Sequence, residues 1–315
     1  MLVHKDWAEH RLDMPPGPKN LGGGPRVKYA RYKSFPNVEL VFSPDEASHD
    51  IVLADWLYLH DSTHRFQRAK QFLELDVKVK GIIGTELKFL TWPDNFRSRL
   101  IENVDLITHV NSYQREMYRY AEIERSVFVG DPVPELVFYP AEKQRRVVCM
   151  GHIAWHKRSH LVIDLFKALK ETDIETCYLG SANMWGHVDD EDSVRMQSVL
   201  ESLSDVFIDN ATQDQVAYWL NHSMFYAHVA WHDTSPISQR ECMMAGMVSV
   251  ALTHPGLMEV TPHLCMDVDE MIDNFLTYPE STFGQESEEA RAFAMSHNSF
   301  AAVSNQWERA LGRLL

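Results

Sequence analysis

The chain has 315 residues, of which 45% are hydrophobic and 24% charged, and its formal net charge at pH 7 is −15. That length exceeds what one hydrophobic core usually organises, so two domains are expected. The acidic balance disfavours non-specific binding to a phosphate backbone, and no window approaches the roughly 18 consecutive apolar residues of a membrane span.

The amino end, Met1-Leu-Val-His-Lys-Asp-Trp, lacks the apolar core of a secretory signal. Four scattered cysteines, Cys149, Cys177, Cys242 and Cys265, sit mostly in apolar strand or helix contexts, which is how reduced core thiols look. A soluble cytoplasmic protein is expected.

The first feature along the chain is the glycine-rich stretch Pro15-Pro-Gly-Pro-Lys-Asn-Leu-Gly22-Gly-Gly-Pro-Arg-Val-Lys-Tyr29. Glycine serves where backbone must approach a ligand closely, so Gly22, Gly23 and Gly24 are candidate cleft residues. A plain surface turn is the competing reading. Only Leu2-Val-His precede this loop as a possible strand, so the first lobe reads as abbreviated.

Short β-rich runs then alternate with amphipathic stretches. The strands are expected at Val38–Phe42, Ile51–Ala54, Val77–Ile83, Leu106–Val110 and Ser126–Val129, with helices between them such as His64–Leu75 and Ser112–Tyr120. Strand, helix, strand is the signature of a parallel sheet with crossovers. Ligands in open sheets gather beyond the carboxyl ends of strands, which makes Asp55, Thr85 and Glu86 candidates for acceptor contacts. Helix capping is the alternative use of such side chains. The aromatic stretches at Trp56–Tyr58 and Phe89–Trp92 suit either sugar stacking or a buried core.

Prolines from Asp131-Pro-Val-Pro134 to Pro140 mark a linker. A second series follows, with strands at Arg146–Met150, Glu175–Leu179, Val206–Ile208, Met224–Val229 and Val248–Ala251. Helices fall near Ser159–Lys170, Ser193–Leu203, Asp214–Asn221 and Ser238–Ala245. The chain from Asp267 to Leu315 is helical in pattern and too short for another domain. The expected fold class is α/β, two doubly wound Rossmann-like lobes facing a cleft. Residues 1–138 form the first lobe and 139–275 the second, with 276–315 a helical tail packing back toward the first.

The most informative segment runs from Asp233-Thr-Ser-Pro-Ile-Ser-Gln-Arg-Glu241 into Cys242-Met-Met-Ala-Gly246. Two acids separated by seven residues, the second within an apolar helix, describe a loop aimed at a polyol. Amides presented by Thr234, Ser235, Ile237 and Ser238 at the helix start favour an anion such as a diphosphate. Glu241 is suited to accept both ribose hydroxyls, as acids do in other nucleotide folds, and Lys157 to supply positive charge for the diphosphate. Lysine and amides together would stand in for a metal ion.

Histidines recur at His152, His156 and His160, and at His228 and His232. The strand-end positions of His152 and His228 do not place the series on one helical face, so structural or phosphate-contacting roles are expected rather than zinc. Asp267-Val-Asp269 reads as solvated charge.

The run Val147-Val-Cys-Met-Gly151-His-Ile-Ala-Trp-His-Lys157, followed by a helix, resembles the opening of the carboxyl-terminal lobe of GT-B glycosyltransferases of the group 1 type, glycosyltransferase family four. Cys177-Tyr-Leu-Gly180-Ser, Val206-Phe-Ile-Asp-Asn210 and Asp214–His222 resemble its following strand and glycine turn, the strand before the nucleobase-facing loop, and the next short helix. Gly151 and Lys157 match the family spacing, while His152 stands where the family has arginine and Asp233 where it has the first of two glutamates. The resemblance implies Lys157, Asp233 and His152 as catalytic residues and Glu241, Gly151 and Asn210, with the loop residues above, as donor-binding. It further implies transfer of a sugar from a nucleotide diphosphate-sugar to a hydroxyl acceptor, with retention of configuration and no metal or other cofactor. The acceptor class stays open, a nucleic acid included. A nucleotide-sugar epimerase on the same lobes and a non-catalytic nucleotide-sugar-binding module are the competing functions.

Overall fold

A computed structural model describes residues 49–55, 67–84, 94–118, 120–182, 191–230, 236–257 and 261–315, with Arg31, Tyr32, Ser34, Phe35, Val38, Glu39, Val41, Leu59, Asp233 and Glu259. These residues group into two compact units. One ends at Pro132 and is completed by Phe300–Leu315, and the other spans Val133–Ser299.

The first unit carries four parallel strands in the order β1-β2-β3-β4, with β1 at Ile51–Asp55, β2 at Val79–Ile83, β3 at Leu106–His109 and β4 at Ser126–Phe128. Val52, Ala54, Ile82 and Ile107 pack with Ala69, Phe72, Leu100 and Ile101 of the helices Gln67–Glu74 and Asp94–Glu102. Such short apolar strands are characteristic of a parallel sheet covered by helices. The helix Asp94–Glu102 escapes a periodicity reading because only Phe96, Leu100 and Ile101 are apolar in it.

The single helix expected over Ser112–Tyr120 is instead two, Ser112–Glu116 and Tyr120–Ile123. Asn111 caps the first by accepting from Gln114 N. The Tyr118 hydroxyl donates to the Thr108 carbonyl at 2.8 Å, drawing the chain back beneath β3 and ending the helix at Met117. A buried bidentate pair, Arg97 to Glu122, ties the helices Asp94–Glu102 and Tyr120–Ile123 together.

The helix Phe300–Leu311 belongs to this unit. Gln306 Oε1 accepts from Gly130 N at 2.8 Å, Trp307 meets Tyr32 edge-on, and Phe300 meets Phe35 in the same way.

In the second unit six parallel strands run in the order β10-β9-β8-β5-β6-β7. They are β5 Gln144–Met150, β6 Glu175–Leu179, β7 Val206–Ile208, β8 Ser223–His228, β9 Val248–Leu252 and β10 His263–Cys265. Counted from β5 as the first strand, this is the Rossmann order 3-2-1-4-5-6. Val147, Cys149, Phe225 and Ala227 face one layer, formed by the helices Ser159–Leu169, Glu191–Leu203 and Val268–Thr277. Val148, Tyr226 and Ala251 face the other, formed by Gln213–Asn221, Ile237–Met244 and Glu280–Asn298. Successive strand residues alternate between the layers, so the run Val147-Val-Cys-Met is apolar throughout.

Strand β10 was not anticipated. It is short and only half buried, and a bond from Thr253 N to Cys265 O of 2.7 Å holds it to the sheet. Asp267 and Asp269 are exposed, as read from the sequence, and the Asp267 carboxylate also caps the helix Val268–Thr277 by accepting from Glu270 N at 2.9 Å. That helix and Glu280–Asn298 belong to the second unit, and Val133 N donates to Asn298 O at the foot of the latter.

Candidate functional site

The winding of the second sheet reverses between β5 and β8, with β6 and β7 on one side and β9 and β10 on the other. At such a point the loops leaving the two strands diverge and open a crevice beyond their carboxyl ends. The residues that follow β5 and β8 therefore form the candidate site.

β5 is followed by Gly151, whose φ of 130° lies in a region that residues with a Cβ seldom enter. Its amide donates to Leu179 O at 3.0 Å, and a Cβ at Gly180 would lie 1.9 Å from the Gly151 carbonyl oxygen. The two glycines thus let the ends of β5 and β6 touch backbone to backbone. His152 Nε2 lies 3.1 Å from the Ala182 carbonyl oxygen, so that nitrogen carries its proton and anchors the turn. Ser159 Oγ accepts from Ala154 N at 3.1 Å, closing the short 3₁₀ turn Trp155–Lys157 ahead of the helix Ser159–Leu169.

β8 ends at His228, and the chain returns through Asp233 and Pro236 into the helix Ile237–Met244. Lys157 and Asp233, 76 residues apart in sequence, meet here. Lys157 Nζ donates to Asp233 Oδ1 at 2.8 Å and Oδ2 at 2.7 Å. The ammonium expected to serve a diphosphate is thus held by a carboxylate of the same motif.

His228 Nε2 lies 3.7 Å from Asp233 Oδ2, its Nδ1 is 3.2 Å from the Tyr226 hydroxyl, and that hydroxyl is 2.8 Å from Ser238 Oγ. Burial lowers the His228 pKa to about 4, with Lys157 and His254 pushing the same way against Asp233, so the ring is neutral at pH 7. For Asp233 burial acts to raise the pKa, yet Lys157, His228 and His254 outweigh it and hold the carboxyl below its ordinary value. Asp233 is an anion at neutral pH, and its charge is balanced by Lys157.

Glu241 is buried in the helix Ile237–Met244, one turn beyond Ser238 and so on the same side of it. Ile237 opens that helix. Gln239, between them, donates to Ser249 Oγ of β9 at 2.8 Å and locks the helix to the sheet. Asn210 follows β7 with a left-handed φ of 51°. Its side-chain amide nitrogen donates to Asp209 at 3.0 Å, while its buried Oδ1 has no hydrogen-bond partner among the described residues.

Of the residues singled out from sequence, Gly151, His152, Lys157, Asn210, Asp233, Ile237, Ser238 and Glu241 all belong to the second unit, at or just after the carboxyl ends of its strands. Asp55 closes β1 in the first unit. Gly22, Gly23, Gly24, Thr85, Glu86, Thr234 and Ser235 lie outside the described residues, as do Leu40 and Phe42 of the strand expected at Val38–Phe42 and both aromatic stretches. Sequence reasoning did not identify Tyr226 or the link of His228 to Asp233. The signal was present: two polar residues at i and i+2 in a strand whose other central positions are apolar.

No family model matches the sequence, and no curated protein matches it. Solved structures do. HepE of Anabaena, in complex with UDP and glucose, is 14% identical, with a TM-score of 0.64 over 84% of this chain and 77% of that one. Sucrose-phosphate synthase of Thermosynechococcus elongatus is 13% identical, with a TM-score of 0.66 over 92% and 77%. A glycosyltransferase of Rickettsia africae ESF-5 is 10% identical, with a TM-score of 0.69 over 93% and 88%. The chain shares with them the GT-B fold of two Rossmann-like lobes.

Proposed function

We propose that this protein is a glycosyltransferase that moves a sugar from a nucleotide diphosphate-sugar to a hydroxyl acceptor. The observation that carries the reading is the convergence of Lys157 and Asp233 at the sheet's switch point, at the start of the helix that bears Glu241. GT-B neighbours solved with UDP or UDP-glucose support a uridine diphosphate donor.

In this reading Glu241 accepts the ribose hydroxyls, and Asn210 lies beside the base. Gly151 and the amides at the start of the helix Ile237–Met244 receive the pyrophosphate. Lys157 moves onto the phosphate oxygens and stabilises the charge that grows there as the bond from C1 to the phosphate oxygen breaks. The acceptor oxygen bonds C1 from the face the phosphate leaves, and its proton passes to the departing phosphate, so configuration is retained without a protein nucleophile. No metal ion is required, because lysine and amides carry the charge.

Four buried, free cysteines support a cytoplasmic location. Among the described residues no helix is long and apolar enough to cross a membrane.

The test is a donor screen followed by product analysis. A panel of nucleoside diphosphates and their sugars in thermal-shift assays is expected to raise the melting temperature with a uridine carrier. Glu241→Ala should abolish that shift, and Lys157→Ala should lower turnover by about 100-fold or more. Turnover should survive EDTA, and nuclear magnetic resonance should find the donor's anomeric configuration in the product. Full activity in both variants, or an epimerised free sugar formed without acceptor, would refute the assignment.

A further inference from the structure

Asp233 has two donors within reach and only one of them bound. Lys157 Nζ holds both its oxygens, at 2.8 and 2.7 Å, whereas His228 Nε2 stands 3.7 Å from Oδ2 and has no hydrogen-bond partner among the described residues. Only 5% of His228 is exposed, so water does not serve that nitrogen freely. A buried ring nitrogen left without a partner calls for an explanation.

The other side of the ring determines which nitrogen carries the proton. The Ser238 hydroxyl can donate to the Tyr226 oxygen at 2.8 Å, and the Tyr226 hydroxyl to His228 Nδ1 at 3.2 Å. That relay pairs His228 Nδ1, the Tyr226 hydroxyl and Ser238 Oγ and leaves the proton on Nε2, facing the carboxylate. The charged or titratable neighbours acting on the ring are Asp233, Lys157 and His254.

We propose that His228 is a positioning residue that takes hold of Asp233 when an anionic ligand draws Lys157 away. The exchange rests on the reading that Lys157 serves the diphosphate. Its physical basis is charge. While Lys157 is bound to Asp233 the two charges cancel, and moving the ammonium alone would strand a carboxylate whose side chain is only 26% exposed. A neutral N–H less than about 1 Å from hydrogen-bonding distance replaces one lost bond without adding charge. The full positive charge of Lys157 then becomes available to the phosphates.

A ligand-free crystal structure of Lys157→Met tests the contact directly. His228 Nε2 is expected within about 3.2 Å of an Asp233 oxygen. A separation unchanged from 3.7 Å would overturn the proposal. Calorimetry with UDP on His228 variants of unchanged melting temperature gives an independent reading. His228→Phe, which has no donor, should bind about tenfold more weakly, and His228→Gln, which keeps an N–H, should stay within about threefold of the parent protein. Equal affinity in all three proteins would also overturn it. Failure of the parent protein to bind any nucleoside diphosphate sinks the nucleotide-sugar reading and the exchange with it, whereas the Lys157→Met structure reports on the His228 contact without any ligand.

Discussion

A single methyl group would disturb this site more than most charge changes on its surface. Gly180 has no room for a Cβ, since the atom would fall 1.9 Å from the Gly151 carbonyl oxygen, and both partners are backbone. Gly180→Ala must therefore push the ends of β5 and β6 apart. A loss of about 3 kcal/mol in urea unfolding is expected, together with weaker nucleotide binding, because the Gly151 turn is displaced. The Lys157–Asp233 pair illustrates the opposite case, in which two residues of opposite charge and distant sequence positions define each other's geometry.

At the level of elements, helix ends and interhelical ties explain what hydrophobic periodicity does not. Thr212 and Gln215 form a reciprocal capping box at the start of Gln213–Asn221, each side chain bonding the other's backbone amide. Thr212→Ala should cost about 1 kcal/mol, read as a lower denaturation midpoint with unchanged slope. The buried Arg97–Glu122 pair is a larger tie. Glu122→Leu would remove the carboxylate that neutralises a buried guanidinium and should cost about 3–5 kcal/mol. Combining it with Arg97→Met should recover much of that loss, which a double-mutant cycle of unfolding free energies would measure.

For the molecule as a whole, two neutral buried imidazoles impose a pH dependence. His109 in the first unit and His228 in the second both have pKa values lowered to about 4. Burial is the chief cause in each, with Arg115 adding to it at His109. A histidine whose pKa is lower folded than unfolded contributes stability that is complete above the unfolded value of about 6.5 and lost as pH falls toward the folded one. By pH 5 each ring should have cost about 2 kcal/mol. Denaturation at pH 7.5 and pH 5 checks this, and His109→Asn with His228→Asn should flatten the difference.

Much of this architecture was legible in the amino-acid order, and for a physical reason. Parallel strands buried on both faces read as largely apolar runs, so Arg146–Met150, Glu175–Leu179 and Val248–Ala251 declared themselves, and the resemblance carried by Gly151, Lys157, Asp233 and Glu241 pointed to the GT-B fold. Helices with few apolar residues, such as Asp94–Glu102, left no such trace, nor did the break at Met117, which a tyrosine bond to a neighbouring strand imposes. Sequence alone determined which residues had to line the carboxyl edge of the second sheet, because strand ends and helix starts are local. Which side chains meet there was decided by tertiary structure. Placing β8 beside β5 is a long-range choice, and it alone brings Asp233 onto Lys157 and leaves His228 waiting beside them.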